Sequence, residues 1–326
     1  MSDGDSTFTD GEALNNLLQD ARAADTRTVS NAADAKALID TFRAASAASP
    51  WTSLDRGTVA DRLAVLVENP RLLLQGSLNL CGPASFLMCW NARDPVGFIK
   101  FATTLFDTGQ SAVGSMNFAP GSDLVGQDYN AMQAKMSVVS AQADWMVMGA
   151  IRNSTNVFWQ GTWAGDPAQM LAGLTRPEEV TSWLQATGIY SQVSNQANWA
   201  ATKGIPHATG LNLLPGTDII LLINVNLIKA ANGSPVDANW LLNQFPNHYI
   251  VLLTQMVQNV TTQNIEFVPW SWGGKLVSNR VNSIATPPPL GGTWDDANQG
   301  KYLSVPMQAF LDNYYGAIIA TLPPAS

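Results

Sequence analysis

The stretch CGPASFLMCW at residues 81–90 contains both cysteines of the chain, Cys81 and Cys89. A thiolate is the nucleophilic form of cysteine, and the N–H groups and dipole at the start of a helix favour it. Gly82 allows close backbone approach and Pro83 suits a first helical turn, which predicts that a helix begins at Cys81. Cys81 is therefore the candidate nucleophile, although an isolated cysteine is more often a buried structural residue, the role predicted for Cys89.

Thiol catalysis also needs a base, and the chain contains only two histidines, His207 and His248. His248 opens the apolar run HYIVLLTQMVQ, so a strand could hold its ring rigidly. His207 lies in the loop-like stretch KGIPHATG, where a surface or turn role is predicted. His248 is therefore the candidate general base, while a hydrogen-bonded histidine at the end of a strand would give the same pattern.

Gln75 stands six residues before Cys81. A side-chain amide near the start of a helix can act with the backbone N–H of the nucleophile to stabilise the oxyanion of an acyl-transfer reaction. Alone, a glutamine here would be an ordinary loop residue. Its combination with Cys81 and His248 predicts an oxyanion hole.

Together these residues resemble the papain-like cysteine peptidases. The resemblance rests on Gln75, on CGPAS opening a helix, on His248 heading a strand and on SWGG at residues 271–274. It extends in element order over residues 72–323, and the Cys-Gly-Pro-Ala form is most similar to bacterial branches, which include bacteriocin-leader peptidases and secreted effector proteases. The resemblance implies an α+β fold in which a helical half carries the nucleophile helix beside an antiparallel sheet. It also implies the roles of nucleophile, base and oxyanion donor.

The third catalytic position departs from the family pattern. Papain-like enzymes place an Asn or Asp on the strand after the histidine to orient its ring, whereas IEFVPWSWGG places Trp270 or Val268 there. A hairpin turn within QNVTTQ would set His248 opposite residues 270–273, with Ser271 near the ring but on the other face from Trp270. The third-member slot therefore holds Trp270 or Ser271, and the orienting group is predicted to be weak, borrowed from elsewhere or absent.

The elements that must position these residues divide near residue 70, where the charge density changes. The first 70 residues hold 17 of the 42 charged side chains. We predict a helical N-terminal extension at residues 1–70, which would be a cap, a prosegment or a secretion module, and a papain-like catalytic domain at residues 71–326. Burial of its apolar stripes favours the packed cap. The stripes occur at helical spacing and are Leu14, Leu17, Leu18 and Ala21; Ala35, Leu38, Ile39 and Phe42; and Val59, Leu63, Leu66 and Val67.

The catalytic domain begins helical and becomes extended. RPEEVTSWLQATG predicts a helix stopped by Gly188, and the runs DIILLINVNLI, HYIVLLTQMVQ, NIEFVPWSW and GKLVSNRV predict an antiparallel sheet after residue 215. SVPMQAFLDNYYGAIIATL predicts a helix and a final strand. Helices followed by strands predict an α+β fold. One further stripe predicts a long helix, and its residues are Tyr129, Met132, Met136 and Val139.

The composition argues against several classes of function. A net charge of −8 and a pI near 4.6 leave no basic surface for nucleic acid or anionic membranes. The apolar runs are shorter than the roughly 20 residues of a membrane-spanning helix, so membrane insertion is not expected. The acidic N-terminus also lacks the features of a signal peptide. Neither zinc-ligand spacing nor a nucleotide-binding glycine motif occurs, so we expect no metal and no cofactor.

These patterns predict a cysteine peptidase or related thiol-dependent amide hydrolase that acts on a protein or peptide substrate. The alternatives are a catalytically degenerate papain-like binding module, and a deamidase or transglutaminase-like acyltransferase that shares the thioester chemistry. The CGPAS form without a signal peptide also fits a delivered bacterial toxin or effector, either cytoplasmic or exported by a signal-independent secretion system. For a toxin, an immunity or inhibitor protein is the expected partner.

Overall fold

The structure is a computed structural model that describes residues 7–8, 25–156, 161–231, 233, 245–275 and 302–324. The chain forms two compact units. The first, here called the helical unit, comprises the described residues from 28 to 191. The second, here called the sheet unit, comprises the described residues before 28 and after 191.

The described residues form a mixed α+β fold, as predicted, and their strands pair antiparallel except for the parallel pair of β1 and β7. The helices are α1 (Ala32–Ala44), α2 (Arg56–Glu68), α3 (Cys81–Arg93), α4 (Pro95–Thr108), α5 (Ser122–Val125), α6 (Tyr129–Gln133), α7 (Gln142–Thr155), α8 (Met170–Gly173), α9 (Pro177–Ala186), α10 (Ile205–Thr209), α11 (Asn226–Ala231) and α12 (Met307–Asn313), with a 3-10 turn at Pro70–Leu72. The strands are β1 (Thr7–Phe8), β2 (Ser111–Val113), β3 (Met116–Phe118), β4 (Gln192–Asn195), β5 (Thr217–Ile223), β6 (His248–Leu252), β7 (Val257–Asn259), β8 (Asn264–Phe267), β9 (Pro269–Ser271), β10 (Gly274–Lys275), β11 (Leu303–Pro306) and β12 (Tyr314–Thr321).

The helices of residues 28–70 pack within the same unit as Cys81. Helix α1 packs on α2 and α4, and α2 packs on α7. Side-chain caps start both helices: Asn31 accepts from the N–H of Asp34, and Asp55 from that of Thr58. The two described stripes are confirmed as helical, and most of their side chains are buried. The stripe that begins at Leu14 lies outside the described residues.

The chain passes from one compact unit to the other near residues 27 and 191, and the functional boundary at residue 70 stays a prediction. Burial of the α1 and α2 stripes supports the packed cap, since an amphipathic helix is stabilised by covering its apolar face. The prosegment and the secretion module stay alternative interpretations of residues 1–70.

The predicted long helix from Tyr129 to Val139 is wrong. Helix α6 ends at its cap residue Ala134, and the chain then turns back towards the segment before Cys81. There the N–H of Ser77 donates to the carbonyl of Val138 at 3.0 Å, and the N–H of Val138 donates to Ser77 Oγ at 3.0 Å. These hydrogen bonds replace the ones that a continued helix would have made.

The sheet unit contains the predicted antiparallel sheet, in which six strands follow the order β10-β9-β6-β5-β12-β4. A second sheet has the order β1-β7-β8-β11. Apolar side chains of β5, β6, β8 and β11 share one core with Phe310 of α12. The predicted terminal helix and strand are confirmed as α12 and β12.

One of the predicted extended runs ends earlier than expected. DIILLINVNLI forms β5 only to Ile223 and then becomes helix α11. GKLVSNRV forms β10 at Gly274–Lys275, and its remainder lies outside the described residues.

Candidate active site

Cys81 is the first residue of α3 and is partly exposed. The residue before it, Leu80, makes no side-chain hydrogen bond to the helix start. The N-terminal N–H groups of α3 therefore have no capping side chain at that position. Cys89, on the same helix, is fully buried. The predicted helix start is confirmed.

Gly82 is required by close packing next to Cys81. A Cβ at residue 82 would lie 2.6 Å from the Cβ of Thr175. Thr175 is in turn held by Arg152, whose Nη1 donates to Thr175 Oγ1 at 3.2 Å. The Nη2 of Arg152 bonds Glu179 at 2.7 Å, and both side chains of this ion pair are buried. A buried charge pair thus fixes the residue that covers the start of α3.

Gln75 lies in the irregular segment between the 3-10 turn and α3, and its side chain is 2% exposed. The backbone before it is held by Asp144 of α7, which accepts from the N–H of Leu74 at 2.8 Å. Arg62 of α2 donates to both carboxylate oxygens of Asp144, at 2.9 and 2.7 Å. Its Nη2 also donates to the carbonyl of Leu72 at 2.5 Å. A second buried ion pair therefore holds the segment that carries Gln75.

His248 is the first residue of β6 and pairs with Ile223 of β5. Its Nε2 lies 2.8 Å from Ser271 Oγ, and its ring stacks on Trp272 with centroids 4.1 Å apart and planes at 19°. Burial lowers the pKa of His248 to about 3, so the imidazole is neutral near pH 7. Strand pairing, one hydroxyl and one indole ring orient the histidine.

Ser271 contacts the histidine, as the register predicted, while Trp270 pairs with Val251 in the neighbouring part of the ladder. Trp270 and Val268 are both buried and carry no carboxylate or amide. Ser271 therefore supplies the hydroxyl that contacts the imidazole. Trp272 follows at φ 47° and Gly273 at φ 85°, in the two-residue turn between β9 and β10.

Of the predicted site residues, Cys81 and Gln75 belong to the helical unit, and His248, Trp270 and Ser271 belong to the sheet unit. His207 lies in helix α10 and not in a loop; its Nδ1 is 2.9 Å from Tyr314 Oη. Burial, with a smaller effect of Lys203, lowers the pKa of His207.

Sequence reasoning missed four buried charged residues that hold the backbone before Gln75 and the threonine packed on Gly82. The signal that could have found them is the charge itself, because Asp144 and Arg152 stand in α7, where buried apolar residues predominate. A charge in such a helix needs a partner. The four residues are Arg62, Asp144, Arg152 and Glu179.

Among the described residues, no group of three or more His, Cys, Asp or Glu side chains is placed to hold a metal ion. In the same part of the chain, no helix is both long and apolar enough to cross a membrane. Comparison with models of protein families, with curated proteins and with solved structures found no match to this chain.

Proposed function

We propose that the chain is a cysteine peptidase or related thiol-dependent amide hydrolase of papain-like fold, with Cys81 as nucleophile and His248 as general base. The observation that carries the proposal is the place of Cys81: it is the partly exposed first residue of α3, with no side-chain cap from Leu80. In that setting the helix start favours the thiolate. Cys89, which is fully buried, offers no comparable nucleophile.

In the proposed reaction, His248 accepts the Cys81 thiol proton and the thiolate attacks the carbonyl carbon of a peptide or protein amide. Gln75 and the Cys81 N–H stabilise the oxyanion. His248 then protonates the leaving amine as the C–N bond breaks, which leaves an acyl thioester. Water, deprotonated by His248, attacks the thioester and restores the thiol.

Ser271 supports the reaction by holding Nε2 of His248, which leaves Nδ1 as the nitrogen that exchanges the proton. If the Nε2 proton is donated to Ser271 Oγ, Nδ1 carries the lone pair that a base needs. The hydrogen bond of 2.8 Å and the stacked indole of Trp272 limit rotation of the ring.

A second candidate is a degenerate papain-like module that binds a partner without turnover. It is favoured by the low pKa of His248, because an imidazole buried so deeply is a weak base. The hydroxyl of Ser271 is also uncharged and stabilises an imidazolium less than a carboxylate does. A deamidase would form the same thioester while expelling ammonia from a side-chain amide, and an acyltransferase would release the thioester to an amine in place of water.

The test is acylation by p-nitrophenyl acetate, an activated ester that needs no knowledge of the natural substrate. A hydrolase should release a burst of p-nitrophenolate, carry acetyl on the Cys81 peptide in mass spectrometry, and then turn over as water releases acetate. We expect Cys81→Ala to abolish the burst and His248→Gln to lower its rate about 10²-fold or more.

Cys89→Ala is the matched control and should retain the burst. A wild-type rate no faster than that of free cysteine at the same pH would favour the binding module. Retention of the burst in Cys81→Ala would overturn the assignment of the nucleophile. Faster release of the acetyl group by an added amine than by water would favour an acyltransferase.

A further inference from the structure

We propose that the buried ion pair Arg62–Asp144 positions Gln75. Helix α2, which carries Arg62, therefore contributes to the candidate active site. This inference rests on the proposed function, since it concerns the oxyanion role of Gln75. Arg62 and Asp144 are positioning residues because they act through the backbone next to Gln75.

The ion pair makes several contacts with the segment before Gln75. Asp144 accepts from the N–H of Leu74, and Arg62 donates to the carbonyl of Leu72. Ser140 Oγ donates to the carbonyl of Leu74 at 2.8 Å. That carbonyl belongs to the peptide group that joins Leu74 to Gln75, so the chain is fixed up to Gln75 itself.

The segment after Gln75 is also constrained. Gly76 has φ 58°, and a Cβ there would lie 2.4 Å from the carbonyl oxygen of Val138. The next residue, Ser77, bonds the backbone of Val138 in both directions. These contacts therefore fix the backbone conformation on both sides of Gln75.

The backbone held in this way carries the carboxamide of Gln75. The side chain is buried, and its Oε1 has no hydrogen-bond partner among the described residues. No hydrogen bond to this oxygen orients the carboxamide, so its position depends on the backbone that carries it. The contacts of Leu72 and Leu74 with the ion pair hold that backbone on the side before Gln75.

The consequence concerns the N-terminal segment, because Arg62 lies within residues 1–70. Removing that segment would leave Asp144, which is fully buried, without its cationic partner. An uncompensated buried charge is strongly destabilising. The segment from α2 onwards is then part of the site and not a removable inhibitor.

The experiment compares two probes of Cys81 in each variant. Acylation by p-nitrophenyl acetate develops an oxyanion, whereas alkylation by iodoacetamide does not. We expect Arg62→Lys, which keeps the charge but loses the planar fork, to lower the acylation rate constant about 10-fold. Its alkylation rate should stay within about 2-fold of wild type. In a Gln75→Ala background, Arg62→Lys should change acylation no more than about 2-fold.

Asp61→Asn is the matched control, since Asp61 precedes Arg62 on α2 but forms an exposed pair with Arg43. It should leave both probes unchanged. If Arg62→Lys does not fold, the apolar double variant Arg62→Met/Asp144→Leu replaces it, because such exchanges often preserve stability. The same acylation loss and the same lack of effect in the Gln75→Ala background are expected.

Two results would overturn the inference. Equal losses with both probes would mean that the pair acts on Cys81 or on the fold as a whole. An undiminished loss in the Gln75→Ala background would mean that it acts without Gln75. A wild-type chain that gives no burst with p-nitrophenyl acetate would instead refute the proposed function.

Discussion

The helical unit and the sheet unit fix their candidate site residues by different means. Before Cys81 the chain is irregular, and buried charged side chains bond its backbone at Leu72 and Leu74. His248 stands on a strand, where backbone pairing with β5 places it and one hydroxyl and one indole ring orient the imidazole. The segment before Cys81 is held by buried charged side chains, whereas His248 is held by backbone pairing between strands.

The difference follows from where backbone groups find partners. A strand satisfies its N–H and C=O groups in the sheet, whereas a buried irregular segment must find side-chain partners. Charged partners form strong hydrogen bonds but are costly to leave unpaired. The stability of the helical unit should therefore fall when one buried charge is removed. The stability of the sheet unit should fall when His248 gains a charge.

The largest effect should come from breaking the ion pair of the helical unit. Asp144→Ala leaves Arg62 buried without its partner and also frees the N–H of Leu74. We expect a loss of about 3–5 kcal/mol in the free energy of unfolding, measured by urea titration. Asp61→Ala, which removes an exposed pair on the same helix, should cost about 1 kcal/mol or less. Equal costs for the two variants would contradict a special role for the buried charge.

The next effect concerns protonation in the sheet unit. His248 has a pKa of about 3 when folded and about 6.5 when unfolded. The unfolded chain then binds more protons between these values, so the free energy of unfolding falls as the pH falls from 6.5 towards 3. His248 should account for a loss of about 3 kcal/mol between pH 7 and pH 4.

Urea titrations at both pH values test this, and the loss should largely disappear in His248→Gln. Carboxylates titrate in the same range, but they do so in both proteins and cancel in the comparison. His207→Gln serves as the control, because burial also lowers the pKa of His207. A larger change in pH dependence for His207→Gln than for His248→Gln would contradict the expectation.

The smallest effect should come from Ser271→Ala, which removes one neutral hydrogen bond from His248. We expect a loss of about 0.5–1.5 kcal/mol in the free energy of unfolding, well below that of Asp144→Ala. Ser271→Thr retains a hydroxyl and is the control. A loss as large as that of Asp144→Ala would mean that the sheet unit depends on side-chain bonds as strongly as the helical unit does.

The features that could be predicted depend on residues that are close together in the sequence. The helix start at Cys81 follows from Gly82 and Pro83, and the strand of His248 follows from its apolar run; both are confirmed. The contact between His248 and Ser271 was accessible because antiparallel register is regular once the hairpin is placed. Local residue types and the regular register of antiparallel strands are thus enough to predict these elements.

Partners that are distant in sequence were not predictable in this way. Arg62 and Asp144 are 82 residues apart, and their meeting depends on the packing of α2 against α7. The apolar stripe that ends at Val139 predicted a helix because periodicity does not report the hydrogen bonds between Val138 and Ser77. The same tertiary contacts that defeat the helix prediction also shape the Gln75 segment.

The turn between β9 and β10 places two demands on one residue. Trp272 has a positive φ, which a bulky residue adopts at a cost, and Asn would suit this turn better. The indole, however, is what covers the face of His248. Selection for stability alone would favour another residue than Trp272 in this turn. Selection for a fixed orientation of the His248 ring would retain Trp272. Directed evolution for thermal tolerance should therefore select substitutions of Trp272 that stabilise the turn. The same substitutions should leave the ring of His248 less ordered.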